Sequence, residues 1–230
     1  MFTLTPEETT AILLSLKVAC VAMAGSLPFG IGVAWLLARR DFPGKALVDA
    51  LVHLPLILPP VVTGYALLLL FGRKGLLGAW LGDHLGIVLA FRWTGAALAC
   101  AVMGFPLLVR AIRLSIEGID TRLEKAAGTL GAAPLMVFLT VTLPLMLPGI
   151  LAGMVLSFAR AFGEFGATIT FVSNIPGETQ TLPTAIYVFT QVPGGDAQAL
   201  RLTLIAVAIA ASALIVSEIL ARRVAKQVRG

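Results

Sequence analysis

Apolar runs long enough to cross a bilayer decide what this chain can fold into. A spanning helix needs roughly 20 apolar residues. Such runs lie at about Ala11–Ala38, Val48–Phe71, Trp93–Val109 and Leu202–Leu220. Hydrophobic residues make up 58% of the chain and charged residues 13%, with a mean hydropathy of +0.97. A soluble domain of 230 residues has no interior large enough to hide that surface. The first run lacks a basic leader and a clear cleavage site, which reads as a true span and not a signal peptide.

The stretch from Leu135 to Phe171 is equally apolar, but Pro144 and Pro148 fall within it. Proline removes a backbone donor and clashes with the preceding turn. The expectation is a surface helix ending near Thr142, a proline-marked turn, and a span from about Leu147 to Phe171. The fold class is then an all-α integral membrane protein with about five transmembrane helices. Residues 1–230 read as one transmembrane domain, within which 110–144 form a cytoplasmic loop.

Charge supports that arrangement and sets an orientation. The net charge is +5 and the isoelectric point about 9.7. Arg39, Arg40 and Lys45, the segment from Arg110 to Lys125, and the tail from Arg222 to Arg229 hold 11 of the 17 Lys and Arg residues. The positive-inside rule places these regions in the cytoplasm, with the N-terminus outside and the C-terminus inside. Arg73, Lys74 and Arg92 fall on the outer side in this scheme. No aromatic and basic interleaving points to nucleic acid.

The residues offer no catalytic constellation. There is no phosphate-cradling GxxxxGK[ST] loop, nucleophile elbow or HExxH helix, and His53 and His84 stand alone. Cys20 and Cys100 lie inside apolar runs without CxxC or Cys/His company, as small buried residues do. No catalytic residue, metal site or bound cofactor is expected.

Polar residues within spans are the better lead, because a charge at mid-membrane is expensive and usually faces a cavity or a partner. Arg160 and Glu164 stand four apart, the helical spacing of an ion pair. They serve either as a structural pair or as part of the wall or gate of a translocation path. Thr168, Asn174 and Thr181 extend the candidate path into the segment Ser173–Thr184, rich in neutral hydrogen-bonding groups and followed by a short helix at about Leu182–Gln191. Gly149 and Gly153 form a GxxxG step, and Gly163 and Gly166 continue a thin-sided helix suited to close packing. Pro55, Pro59 and Pro60 break the second span near one end, as a helix lining a pathway can be broken.

One polar interruption separates the apolar runs: Leu123-Glu124-Lys125-Ala126-Ala127-Gly128-Thr129-Leu130-Gly131, followed by Leu143-Pro144. It is short, charged and helix-prone, as a docking element for a soluble partner would be. These residues resemble the EAA loop of bacterial ABC-importer permeases. The resemblance implies that Glu124, Lys125, Ala126, Ala127, Gly131, Leu143 and Pro144 couple the chain to an ATP-hydrolysing subunit. Lys125 stands where the family motif has its glutamate, and Glu124 lies one residue earlier. Three further stretches are similar to the molybdate permeases of that family: Ala38 to Lys45, His53 through Tyr65, and Arg160 to Ala167 continuing into Asn174–Gly177 and Thr179–Pro183.

The resemblance implies a bacterial inner-membrane homodimer with two ATPase subunits and a periplasmic or surface-anchored oxyanion-binding protein. ATP and Mg would be used by the partner, and the cargo would be molybdate, tungstate or sulfate. A self-sufficient secondary transporter or channel is the competing class.

Overall fold

The structure is a computed structural model describing residues 4–229, with the side chains of residue 217 and residues 220–229 left outside the description. The described residues form helices and no strand. Three long helices make the heart of the bundle: α1 (Pro6–Arg39), α5 (Trp93–Glu117) and α8 (Leu143–Phe162). Around them lie α2 (Lys45–Ile57), α3 (Pro60–Phe71), α4 (Leu76–Leu85), α6 (Thr121–Thr129), α7 (Pro134–Val137), α9 (Gly166–Val172), α10 (Leu182–Gln191) and α11 (Asp196–Arg229). Among the described residues, four helices are long and apolar enough to cross a membrane, or five when the bent pair α2–α3 counts as one span.

The core falls into two clusters along the bundle. Toward the α10 end, Val18, Ala19 and Ala22 of α1 pack with Ala96, Ala99 and Met103 of α5, Phe171 of α9 and Leu202 of α11. Toward the α6 end, Leu37 packs with Leu108, Ile112 and Ile116 of α5 and Met146 and Ile150 of α8. Small residues bring these helices together, since apolar lipid gives apolar helices no reason to associate except fit. A side chain on Gly149 would fall on Ser115 of α5, and one on Gly153 would meet the Leu108 carbonyl at 3.0 Å. The expected GxxxG step therefore does face a helix.

Three expectations need correction. First, no turn separates a surface helix from α8. Helix runs from Pro134 to Phe162, through both Pro144 and Pro148. A π-helical turn at Phe138–Thr142 precedes Pro144, and the Leu143 amide reaches back to the Phe138 carbonyl. That wider turn makes room for the proline ring, and so the helix bends its ladder instead of ending. The long helix stops at Phe162, well before Phe171, because Gly163 closes it and the chain re-enters helix only at Gly166.

Second, the break in the second apolar run lies near its middle, since α2 already begins at Lys45. Helices α2 and α3 meet at Leu58 and Pro59 with a bend of 115°. Pro59 is extended and Pro60 opens α3, where its missing donor leaves no bond unmade. Third, the segment expected to open as a loop at 110 opens as helix, with Arg110 to Glu117 continuing α5. Ile112 and Ile116 are buried, while Arg113 on the open side bridges Glu117 at 2.7 Å and Asp49 at 3.0 Å. The short helix at Leu182–Gln191 stands as expected, and α4 was not anticipated.

Two polar ties hold the α10 end. Thr5 and Glu8 form a capping box at the start of α1, and the fully buried Glu8 carboxylate takes two bonds from Arg201 of α11, at 2.6 and 3.1 Å. The Ser15 hydroxyl accepts the Leu182 amide at 2.6 Å, satisfying one of the orphan donors of α10. Neither tie was named from sequence, although the Thr5-Pro6-Glu7-Glu8 pattern carries the capping signal.

Candidate functional site

The polar interruption folds into α6, a helix whose two ends are built from recognisable caps. Asp120 accepts the Arg122 amide at 2.9 Å and so caps the N-terminus. At the other end, the Ala132 amide bonds the Ala127 carbonyl and the Gly131 amide bonds the Gly128 carbonyl. That pair of bonds is a Schellman motif, with Gly131 in the left-handed position at φ 89°. The motif glycine is therefore needed for its backbone angle, since nothing stands within 4 Å of where a side chain would begin.

Glu124 faces inward from α6. Its Oε1 takes the Thr142 hydroxyl at 2.7 Å and Arg39 Nη2 at 3.2 Å, and the same Nη2 reaches the Ile119 carbonyl at 3.4 Å. One carboxylate thus links α6 to the end of α1 and to the π-turn that leads into α8. Both donors fall on Oε1, and the side chain keeps 20% of its surface exposed. Lys125 and Ala126 are exposed and Ala127 is half-buried. The apolar side chains around them stand out from the bundle, with Leu130 at 89% exposure and Leu135 at 69%. Leu143 and Pro144 are half-buried where the π-turn passes into α8. Close by, in the turn between α1 and α2, the hydrogen bond from Lys45 holds the Asp41 carboxyl below the usual carboxylate range.

The second cluster lies where the two broken elements cross. Arg160 is in the last turn of α8, and Glu164 sits beyond the helix end, not on its face. The two still pair, at 2.5 Å between Nη1 and Oε2, because the chain turns at Gly163. That contact lies outside hydrogen-bonding geometry, and Oε1 spends its own acceptor capacity on the Ala167 amide at 2.8 Å. Glu164 therefore caps α9 while neutralising Arg160, and its side chain is 1% exposed. Thr168 is buried and turned onto the Phe165 carbonyl at 2.9 Å. Helix α9 rests on α3, where Gly166 meets Pro60 and Gly64 meets the Ala167 backbone. The two breaks therefore touch each other. Gly163, by contrast, packs on no neighbouring helix and serves as the α8 cap.

The remaining candidates sit toward the α10 end. Thr181 is buried and caps α10 with its carbonyl, which accepts the Ala185 amide at 2.8 Å. Asn174 is half-buried with its Oδ1 unbonded. Thr179, which sequence reasoning did not single out, is fully buried and accepts the Ile175 amide at 2.9 Å. Coupling and pathway candidates are thus two separate clusters, joined by α8.

The family described as the binding-protein-dependent transport system inner membrane component matches this chain over residues 26–229. The chain belongs to that family. The resemblance of the chain to importer permeases is borne out, and a self-sufficient secondary transporter is set aside. Among relatives of this permease, the molybdenum transport system permease protein ModB of Escherichia coli is 61% identical over 219 residues, 95% of this chain and 96% of that one. Its counterpart in Haemophilus influenzae is 57% identical over 220 residues, 96% of each chain. A chain of the inward-facing MetNI methionine ABC transporter has the same fold, with a TM-score of 0.73, 16% identity, and coverage of 93% of this chain and 94% of that one.

The Schellman end of α6 gives a direct prediction for this permease. Gly131→Ala places a side chain at a left-handed angle that disfavours it by about 1–2 kcal/mol. The amides of Leu130, Gly131 and Ala132 should then exchange hydrogen roughly tenfold faster, with the amides of α5 unchanged. Unaltered exchange at those amides would contradict the motif.

Proposed function

We propose that this chain is the permease of a molybdate importer, working as two identical copies with two ATP-hydrolysing subunits and an oxyanion-binding protein. The observation that carries this reading is α6: a short helix held rigidly to α1 and α8 on its inner side, with exposed apolar residues on its outer side. The identity to molybdenum permeases over 95% of the chain supplies the cargo. Arg39, Arg40, Lys45, Arg113, Arg122 and Lys125 gather at the α6 end, and the positive-inside rule makes that end cytoplasmic. The N-terminus then lies outside and the C-terminus inside, although the basic side chains of 222–229 fall outside the described residues.

In this reading the ATPase subunits receive α6 through Leu130, Lys125, Ala126 and their neighbours. Closure of the motor moves α6, and the Glu124 clasp passes that movement to α1 and α8. Helix α8 carries Arg160 to the crossing of the two breaks, where Gly166 and Ala167 of α9 rest on Pro60 and Gly64 of α3. The oxyanion passes between the copies there and meets neutral groups such as the unbonded Asn174 amide oxygen toward the outer mouth. A passage must release its cargo, so weak and distributed contacts serve it better than a tight site.

Uptake of labelled molybdate into proteoliposomes holding the permease, its ATPase and its binding protein tests the assignment. Tungstate should block uptake and sulfate should not. Block by sulfate would move the permease to the sulfate class, and absence of any oxyanion uptake while ATP is hydrolysed would refute the cargo.

Two substitutions test the site roles. Leu130→Asp lies on the most exposed large apolar side chain of α6 and its surroundings, so the protein should reach the membrane normally yet lose its ATPase on purification. Retention of the ATPase would contradict the docking face. Glu164→Gln keeps an acceptor for the Ala167 amide while removing the charge beside Arg160. Breaking one side of a buried pair costs about 3–5 kcal/mol, so uptake should fall well below the level set by protein abundance. Uptake in proportion to abundance would leave the pair purely structural.

A further inference from the structure

A groove of about 700 Å³ runs between α1, α2 and α5, on a part of the bundle that neither the clasp nor the crossing of the breaks uses. Its walls are apolar, with Val21 and Phe29 of α1, Leu51 and Val52 of α2, and Leu98 and Val102 of α5. Gly25 opens onto it, and nothing stands within 4 Å of where its side chain would begin.

A cation stands at one end of this groove. Lys17 precedes Val21 by one turn on the same face of α1. Its Nζ lies 3.6 Å from the centroid of the Trp93 ring, and Trp93 adjoins Thr94, which lines the groove. Lys17 is exposed, and no carboxylate pairs with it among the described residues. Trp93 opens α5, and tryptophan at the end of a spanning helix marks headgroup depth. From Lys17 to Phe29, α1 rises about 18 Å at 1.5 Å per residue. One leaflet of hydrocarbon is about 15 Å deep. The groove is therefore one leaflet deep, with an unpaired cation at its headgroup end.

We propose that this groove holds one anionic phospholipid, with an acyl chain along Val21, Gly25 and Phe29 and its phosphate on Lys17. The Trp93 ring fixes the ammonium over the mouth of the groove, where a phosphate completes its charge. A helix from a second copy could fill the apolar part, but the exposed cation at the headgroup end favours an anionic headgroup. The proposal rests on membrane embedding, which family membership establishes, and not on the identity of the cargo.

Native mass spectrometry of the full-length chain, purified in mild detergent and offered phosphatidylglycerol or phosphatidylcholine, tests it. One phosphatidylglycerol should be retained per chain, in preference to phosphatidylcholine. Lys17→Gln should remove that preference and weaken phosphatidylglycerol retention about fivefold. Gly25→Leu, which meets no packed atom, should eject both lipids while the chain keeps its melting temperature. Equal retention of the two lipids by the native chain, or retention unchanged by Gly25→Leu, would overturn the proposal. So would efficient disulfide formation between copies through Leu51→Cys and Val102→Cys.

Discussion

The Glu124 carboxylate sits beneath α6 with the Thr142 hydroxyl on one side and the Arg39 guanidinium on the other. Helix α6 has only nine residues and buries no side chain, so neither its own ladder nor apolar packing can hold it against the bundle. Its position depends on this charge-assisted contact and on the two caps that fix its length. Partial burial makes the contact stronger than an exposed pair, and the hydroxyl supplies a second donor to the same oxygen. Moving α6 without moving α1 and the start of α8 would strand a half-buried arginine, which suits this short helix to the lever role proposed for it.

The lever reaches the candidate path through α8. A π-turn and two prolines make the first part of that helix irregular, yet its apolar face remains locked to α5 through Gly149 and Gly153. The far end of α8 carries Arg160 to Glu164, and Glu164 caps the short α9. Irregular backbone in a membrane survives only where protein or a water-filled cavity satisfies its polar groups. Here Glu164 takes the Ala167 amide at one break, and the two interrupted elements pack directly on each other. The same arrangement places the least regular backbone where a passage between copies would run.

Much of this was legible in the sequence, because bilayer thickness converts apolar length directly into helices. The long runs at α1, α5 and α11 were readable for that reason, and the helix at Leu182–Gln191 followed from its turn signals. Pro144 misled because the helix-breaking rule assumes an ordinary α-turn before the proline, and a preceding π-turn cannot be seen in composition. Helix α4 escaped notice because ten residues are too few to span and too apolar to read as a loop. At the site, the motif located α6 but not the direction of its glutamate. Direction depends on Arg39, far away in sequence, and no local spacing reports that contact. The Glu8–Arg201 tie was hidden for the same reason.

The clasp is best tested by the number of ATP molecules hydrolysed per molybdate imported, in a cycle of Arg39→Gln, Glu124→Gln and the double variant. If the clasp transmits the motion of α6, each single variant keeps its ATPase bound but hydrolyses several-fold more ATP per anion. The double variant should then be no worse than either single one. Native stoichiometry in both single variants would contradict the account, since α6 would then drive the spans by a route that bypasses Glu124.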